Sequence, residues 1–231
     1  MALRRARPLF VIVVIVLATT IAALALSPRL CSQSAPASSS ATPKKKPAPN
    51  PQFDPGSVNG GTYRNKTLGL SCKIPEGWVL RTEEMNAPDS DKPPDLSAEN
   101  PAPSAAASVL LAAFSRPPAA RGEDVNSSIL IAAESVSAYP GLKDAVQYFG
   151  PLTEVAKAQG FTADAEPYEI AIGTRALVRA DFHKDVGRRV MWQSTLAMLA
   201  HGYAVSITLI GGTEDEVENL MEGLSFSANG K

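Results

Sequence analysis

The sequence predicts an α+β fold of antiparallel strands with two segregated helices, preceded by an N-terminal apolar helix and a disordered linker. Three observations predict it. Beyond Gly61, short apolar or alternating runs recur between Gly, Pro and Asn residues, as the strands of a sheet do. Two stretches carry their apolar residues at helical spacing instead. These helical stretches stand apart from strand pairs joined by tight turns, whereas a parallel α/β sheet would alternate single strands with helices.

Taken in order, Arg4, Arg5 and Arg7 precede an almost purely apolar run from Leu9 to Leu26. About 18 apolar residues is near the minimum for a membrane-crossing helix, and the arginines place its start in the cytoplasm. Residues 1–31 are therefore expected to be a signal-anchor or a signal peptide. Ala23-Leu24-Ala25 supplies the small residues that a signal peptidase requires. Uncleaved, the chain is held at the inner membrane through residues 9–26; cleaved, it is periplasmic or secreted. Cys31 follows Pro28, Arg29 and Leu30 where lipid attachment needs small residues, so it is not expected to be lipidated.

Residues 32–60 are rich in Pro, Ser and Ala around Lys44, Lys45 and Lys46 and lack the side chains that would offset ordering entropy. They are expected to form a disordered linker. Residues 61–228 form the domain, with strands expected at 62–65, 68–74, 78–81, 108–115, 128–136, 175–183, 190–200, 203–210 and 224–226. His201-Gly202 should turn one hairpin, and Lys184 to Gly187 another. Leu142, Ala145, Val146, Phe149, Leu152, Val155 and Ala156 share a helical face, with Gly150-Pro151 expected to kink or split it. A second helix is expected from Thr213 to about Gly223, opened by a Thr213–Glu216 capping box. The Pro-, Ser- and Asp-rich stretch 82–107 reads as a disordered loop.

Charge narrows the partners. Of 22 basic residues, seven lie at or before Lys46, where there is no acid; the remainder sets 15 bases against 23 acids, a net −8. An acidic domain argues against nucleic acid and against adsorption to anionic lipid, leaving Lys44 to Lys46 as the basic cluster for the latter. The alternation around Cys72 turns its thiol toward the core, although a bridge to Cys31 is open in an oxidising compartment.

The run from Gly61 to Leu70, with Tyr63 and Asn65, followed by Ile74-Pro75-Glu76-Gly77-Trp78, resembles the start of PsbP/Mog1-like domains. There a Tyr-x-Asn pair precedes a short strand and a Pro-x-Gly-Trp turn. The resemblance loosely spans Gly61 to Phe226; the 82–107 stretch departs from it. It implies an antiparallel sheet between helices, docking on other proteins, and no catalytic residues.

Reactive groups are sparse. Asp181, His183 and Asp185 alternate and would share one face of an extended strand, the best metal constellation available. The turn expected from Lys184 should end that geometry before Asp185. His201 should be exposed at a hairpin tip. Gly211-Gly212 resembles a phosphate cradle, but Glu214, Asp215 and Glu216 would repel the anion. Asn65-Lys66-Thr67 and Asn126-Ser127-Ser128 match a glycosylation sequon. No cofactor is expected. The expectation is a non-enzymatic extracytoplasmic module that binds an envelope protein. The alternative is a small-molecule or lipid carrier with a pocket between sheet and helix, near Phe149 and Trp192.

Overall fold

The computed structural model describes residues 54–87, 108–117, 120 and 124–227. The signal segment, Cys31, Lys44 to Lys46 and residues 88–107 lie outside that set. Among the described residues no helix is long and apolar enough to cross a membrane.

The fold is α+β, with antiparallel strands divided between two sheets. Strands β1 (Ser57–Asn59), β2 (Thr62–Asn65) and β3 (Leu70–Lys73) begin the smaller one. The Pro75–Gly77 turn then carries the chain into the larger sheet as β4 (Val79–Leu80), a four-residue helix α1 (Thr82–Met85), β5 (Ser108–Phe114) and β6 (Ser128–Ser135). Helix α2 (Ala145–Ala158) is followed by β7 (Thr162–Ala163), β8 (Tyr168–Ile172), β9 (Arg175–Val186), β10 (Arg189–Ala200) and β11 (Tyr203–Gly211). Helix α3 (Glu214–Glu222) returns the chain to the small sheet as β12 (Leu224–Phe226), which pairs with β3. The small sheet has the order β1-β2-β3-β12 and the large one β4-β5-β6-β11-β10-β9-β7, with β8 also on β9.

The register explains how helices reach both faces. Directly paired residues of an antiparallel sheet point the same way, so Val178, Phe182 and Ala197 share one face with Ala180 and Ala204. Tyr148, Phe149 and Ala156 of α2 pack there. Arg179, Asp181 and His183 point to the other face with Trp192, Ser194 and Leu196, and α3 reaches it through Glu218 and Met221. Burial of both faces makes Leu196, Ala197, Ile207 and Leu209 inaccessible.

Several expectations are corrected. The chain packs from Asp54, earlier than the expected boundary at residue 61, and forms β1 inside the expected linker. The reason lies in Tyr63 and Asn65. The Tyr63 hydroxyl donates to the Pro55 carbonyl at 2.9 Å, and Asn65 donates its amide to the Asp54 carbonyl at 2.6 Å while accepting from the Leu68 amide at 2.9 Å. Gly56, at φ +74°, lies so close under the Tyr63 ring that an added Cβ would stand 2.6 Å from it. The antiparallel strands divide between two sheets, and the chain passes from one to the other through the Pro75–Gly77 turn.

The stretch expected as loop from Thr82 opens with α1, and the side chains of Thr82 and of Asn86 just after the helix replace a missing strand at the edge of β5. Thr82 Oγ1 accepts from the Ala112 amide at 2.9 Å; Asn86 accepts from the Val109 amide at 3.0 Å and donates to its carbonyl at 2.7 Å. Pro151 does not split α2, which runs unbroken on its packed face. Strand β9 continues through Val186, three residues beyond the expected end, because Gly187 at φ +63° turns the hairpin there. His201 and Gly202 turn the next one with φ of 51° and 80°, both left-handed as a two-residue hairpin of this type requires. Strands β7 and β8 were not expected.

Candidate functional site

On the α3 face, strands β9 and β10 and the loop after β7 frame a cleft of about 380 Å³ with α3. Asp164, Asp181, Glu214, Asp215 and Glu218 line it against a single base, Arg179, with Trp192 half-buried at the wall. The periodicity of β9 aims Arg179 and Asp181 into this space, and the register sets Ser194 opposite Asp181.

Arg179 organises the centre. Its Nε donates to both Asp181 oxygens, at 2.8 and 3.0 Å, and one terminal nitrogen donates to Ser194 Oγ at 3.2 Å and to Glu218. The other terminal nitrogen lies 3.5 Å from Met221 Sδ. Asp181 also accepts from the Ser194 hydroxyl and, at 2.8 Å, from Tyr168. Burial lowers the Arg179 pKa, but the Glu218 and Asp181 carboxylates outweigh that and hold it above the ordinary arginine value. The Tyr168 phenol is pushed up to about 12, first by desolvation and then by its bond to Asp181. Every polar group at the centre is thus satisfied by another.

The three alternating residues of β9 have separate fates. Asp181 belongs to Arg179. His183 pairs through Nδ1 with Asp164, and its ring lies 5.8 Å from that of Trp192. Asp185 is exposed opposite Val190, still within the extended strand. Among the described residues no three His, Cys, Asp or Glu side chains are grouped to hold a metal.

Other candidates fall where local chemistry puts them. Gly212 donates its amide to Glu216 at 2.9 Å, while the Glu216 amide donates to Thr213 Oγ1 at 3.1 Å, so the cap's own carboxylate occupies the cradle. Asn65 is buried and fully bonded, which closes that sequon to a transferase in the folded protein. Cys72 is a buried free thiol whose pKa burial pushes up to about 12. Phe149 and Trp192 do not share a pocket: Phe149 packs under α2, whereas Trp192 lines the cleft on the opposite face. Alternation in β10 explains the separation, since Met191 packs with Phe149 and its neighbour must point the other way.

Sequence reasoning passed over Arg179, Ser194, Tyr168 and Glu218. A signal for Arg179 and Asp181 existed, a charged pair at i and i+2 within an otherwise apolar strand.

Pro75, Gly77 and Trp78 line a second feature, a groove of about 1120 Å³. It runs between the small sheet, β4 and the end of α3, with Arg64, Lys73, Val58 and Leu80 among its walls.

No family model matches this chain, and no curated protein does. Solved structures similar to it include the solution structure of cyanobacterial PsbP from Synechocystis, 14% identical over 74% of this chain and 98% of that one, with a TM-score of 0.41. Another is LpqN of Mycobacterium tuberculosis, described as involved in cell envelope biogenesis, 12% identical over 68% of this chain and 83% of that one, TM-score 0.34. A third is a Pseudomonas aeruginosa protein of unknown function, 19% identical over 45% of this chain and 70% of that one, TM-score 0.32.

Proposed function

We propose that this is a non-enzymatic binding domain of the cell envelope, placed outside the cytoplasm by its N-terminal segment, which acts by docking on another envelope protein. The observation that carries the reading is the cleft against α3. Its central groups are committed to Arg179 or to one another, which suits a preformed recognition surface better than groups kept free to move protons. Around that centre Glu214 and Asp215 pair with no described residue, beside the half-buried indole of Trp192. Carboxylates steer a basic segment and an indole face attracts its cations, so the partner surface would carry Lys or Arg.

Proximity labelling from the full chain, compared with a Glu214→Lys/Asp215→Lys variant, tests this. Envelope proteins recovered by the wild type should drop out with the variant. A wild-type chain that recovers no reproducible partner sinks the reading.

The cleft also favours a second reading, a carrier of a small molecule or lipid, since its volume falls within the roughly 300–1,000 Å³ range of ligand pockets. Native mass spectrometry of the purified chain should then show a bound species that a Ser194→Trp variant loses.

A further inference from the structure

Five basic side chains make no ion pair or hydrogen bond with another described residue: Arg64, Lys66, Lys73, Lys143 and Arg188. Three of them sit on or beside the β2–β3 hairpin of the small sheet. The register pairs Thr62 with Lys73, Arg64 with Ser71, and Ser71 with Ser225, so both charged chains stand on one outward face. That face adjoins the large groove, where Val58 and Leu80 are 40% and 45% exposed and Trp78 is half-buried. Glu76 is the single acid lining it. In a region carrying a net −8, this is a local inversion of charge.

We propose that the outward face of the small sheet and its groove dock on the anionic surface of the membrane that the chain's own N-terminal segment enters. The proposal rests on reading residues 9–26 as an uncleaved anchor. Two unpaired cations beside a tryptophan and exposed aliphatic side chains match a headgroup boundary, where indoles and alkyl stems sink and charged tips meet phosphates. Geometry favours the same side. Asp54 is held against Asn65 and the Lys66 amide, so the chain from the anchor reaches the domain at this hairpin. Twenty-seven residues, 27 to 53, separate that point from the anchor.

Trp78 and Trp192 are the chain's two tryptophans, one in each region, and they make the test self-controlled. The full chain is reconstituted into vesicles of phosphatidylcholine, with or without phosphatidylglycerol, containing brominated lipid as quencher. With Trp192→Phe, the Trp78 emission should be quenched in the anionic vesicles and far less in phosphatidylcholine alone. With Trp78→Phe, the remaining Trp192 should stay unquenched in both. Arg64→Glu/Lys73→Glu should return Trp78 to its phosphatidylcholine level, because each cation near an anionic surface is worth roughly 5-fold in affinity. Arg64→Gln/Lys73→Gln, a milder change, should fall between.

Trp78 that stays unquenched, or is quenched equally whatever the lipid charge, overturns the docking. Crosslinking of a Ser71→Cys chain to an envelope protein, with Trp78 unquenched, assigns the face to a protein and also overturns it. Release of the chain from the vesicles by 1 M salt overturns the anchor, and the proposal with it, whereas retention isolates a failure of docking alone.

Discussion

The cleft against α3 and the outward face of the small sheet use the same residue types to opposite ends. In the cleft, Arg179 is consumed by Asp181, Ser194 and Glu218, and its charge serves to hold carboxylates together. On the small sheet, Arg64 and Lys73 stand opposite Ser71 and Thr62 and pair with no described carboxylate. Net charge therefore describes neither region: one acidic domain carries a carboxylate-rich cleft and a basic face.

The largest expected effect is at Arg179. Arg179→Ala leaves Asp181 and Glu218 facing each other without a cation, and should cost about 2 to 3 kcal/mol in urea unfolding. The value sits below that of a fully buried pair because the Glu218 side chain is 51% exposed. Should the loss stay under about 0.5 kcal/mol, the cleft is not organised as described.

Next in size is the anchorage of the small sheet. Asn65→Ala removes three hydrogen bonds and orphans the Asp54 carbonyl and the Leu68 amide, at about 2 kcal/mol. Proteolysis between residues 54 and 62 should accelerate in the same variant. An unchanged cleavage rate would detach β1 from this explanation.

Alkaline pH sharpens the contrast without mutation. Burial first of all raises the Tyr63 phenol from 10.0 to about 12 and the Cys72 thiol from 9.0 to about 12, and it raises Tyr139 and Tyr148 as well. Folded values above unfolded ones mean this stability is complete below about pH 9 and lost as pH rises toward 12. Urea midpoints should therefore fall across that window, with tyrosinate absorbance rising in step with unfolding. In a Tyr203→Phe background, absorbance that rises before the fold is lost would contradict the burial.

The smallest expected effect is at the basic face itself. Arg64→Glu and Lys73→Glu touch no described partner, so each should shift stability by less than about 0.5 kcal/mol. A larger loss would show that these cations hold the fold and are not free for an outside surface.

Much of the architecture was legible in local pattern. The strand at Leu224–Phe226 and the Thr213 cap need only neighbours in sequence, and both stand where expected. Strands β7 and β8 were not legible because Thr162–Ala163 and Tyr168–Ile172 are short edge pieces whose partner, β9, lies farther along the chain. The cleft was legible only as an odd charged pair in β9, since Glu218 meets Arg179 across 39 residues.

By itself, the sequence determined the alternation of strands, the caps and turns, the excess of acid beyond Lys46 and the Tyr63–Asn65 motif, because each depends on residues a few positions apart. Tertiary structure alone decided that the strands divide into two sheets, that Phe149 and Trp192 lie on opposite faces, and which cations are paired. Pairing requires side chains from distant segments to meet within about 4 Å, and only the packed fold brings Arg179 to Glu218 while leaving Arg64 and Lys73 without a described partner.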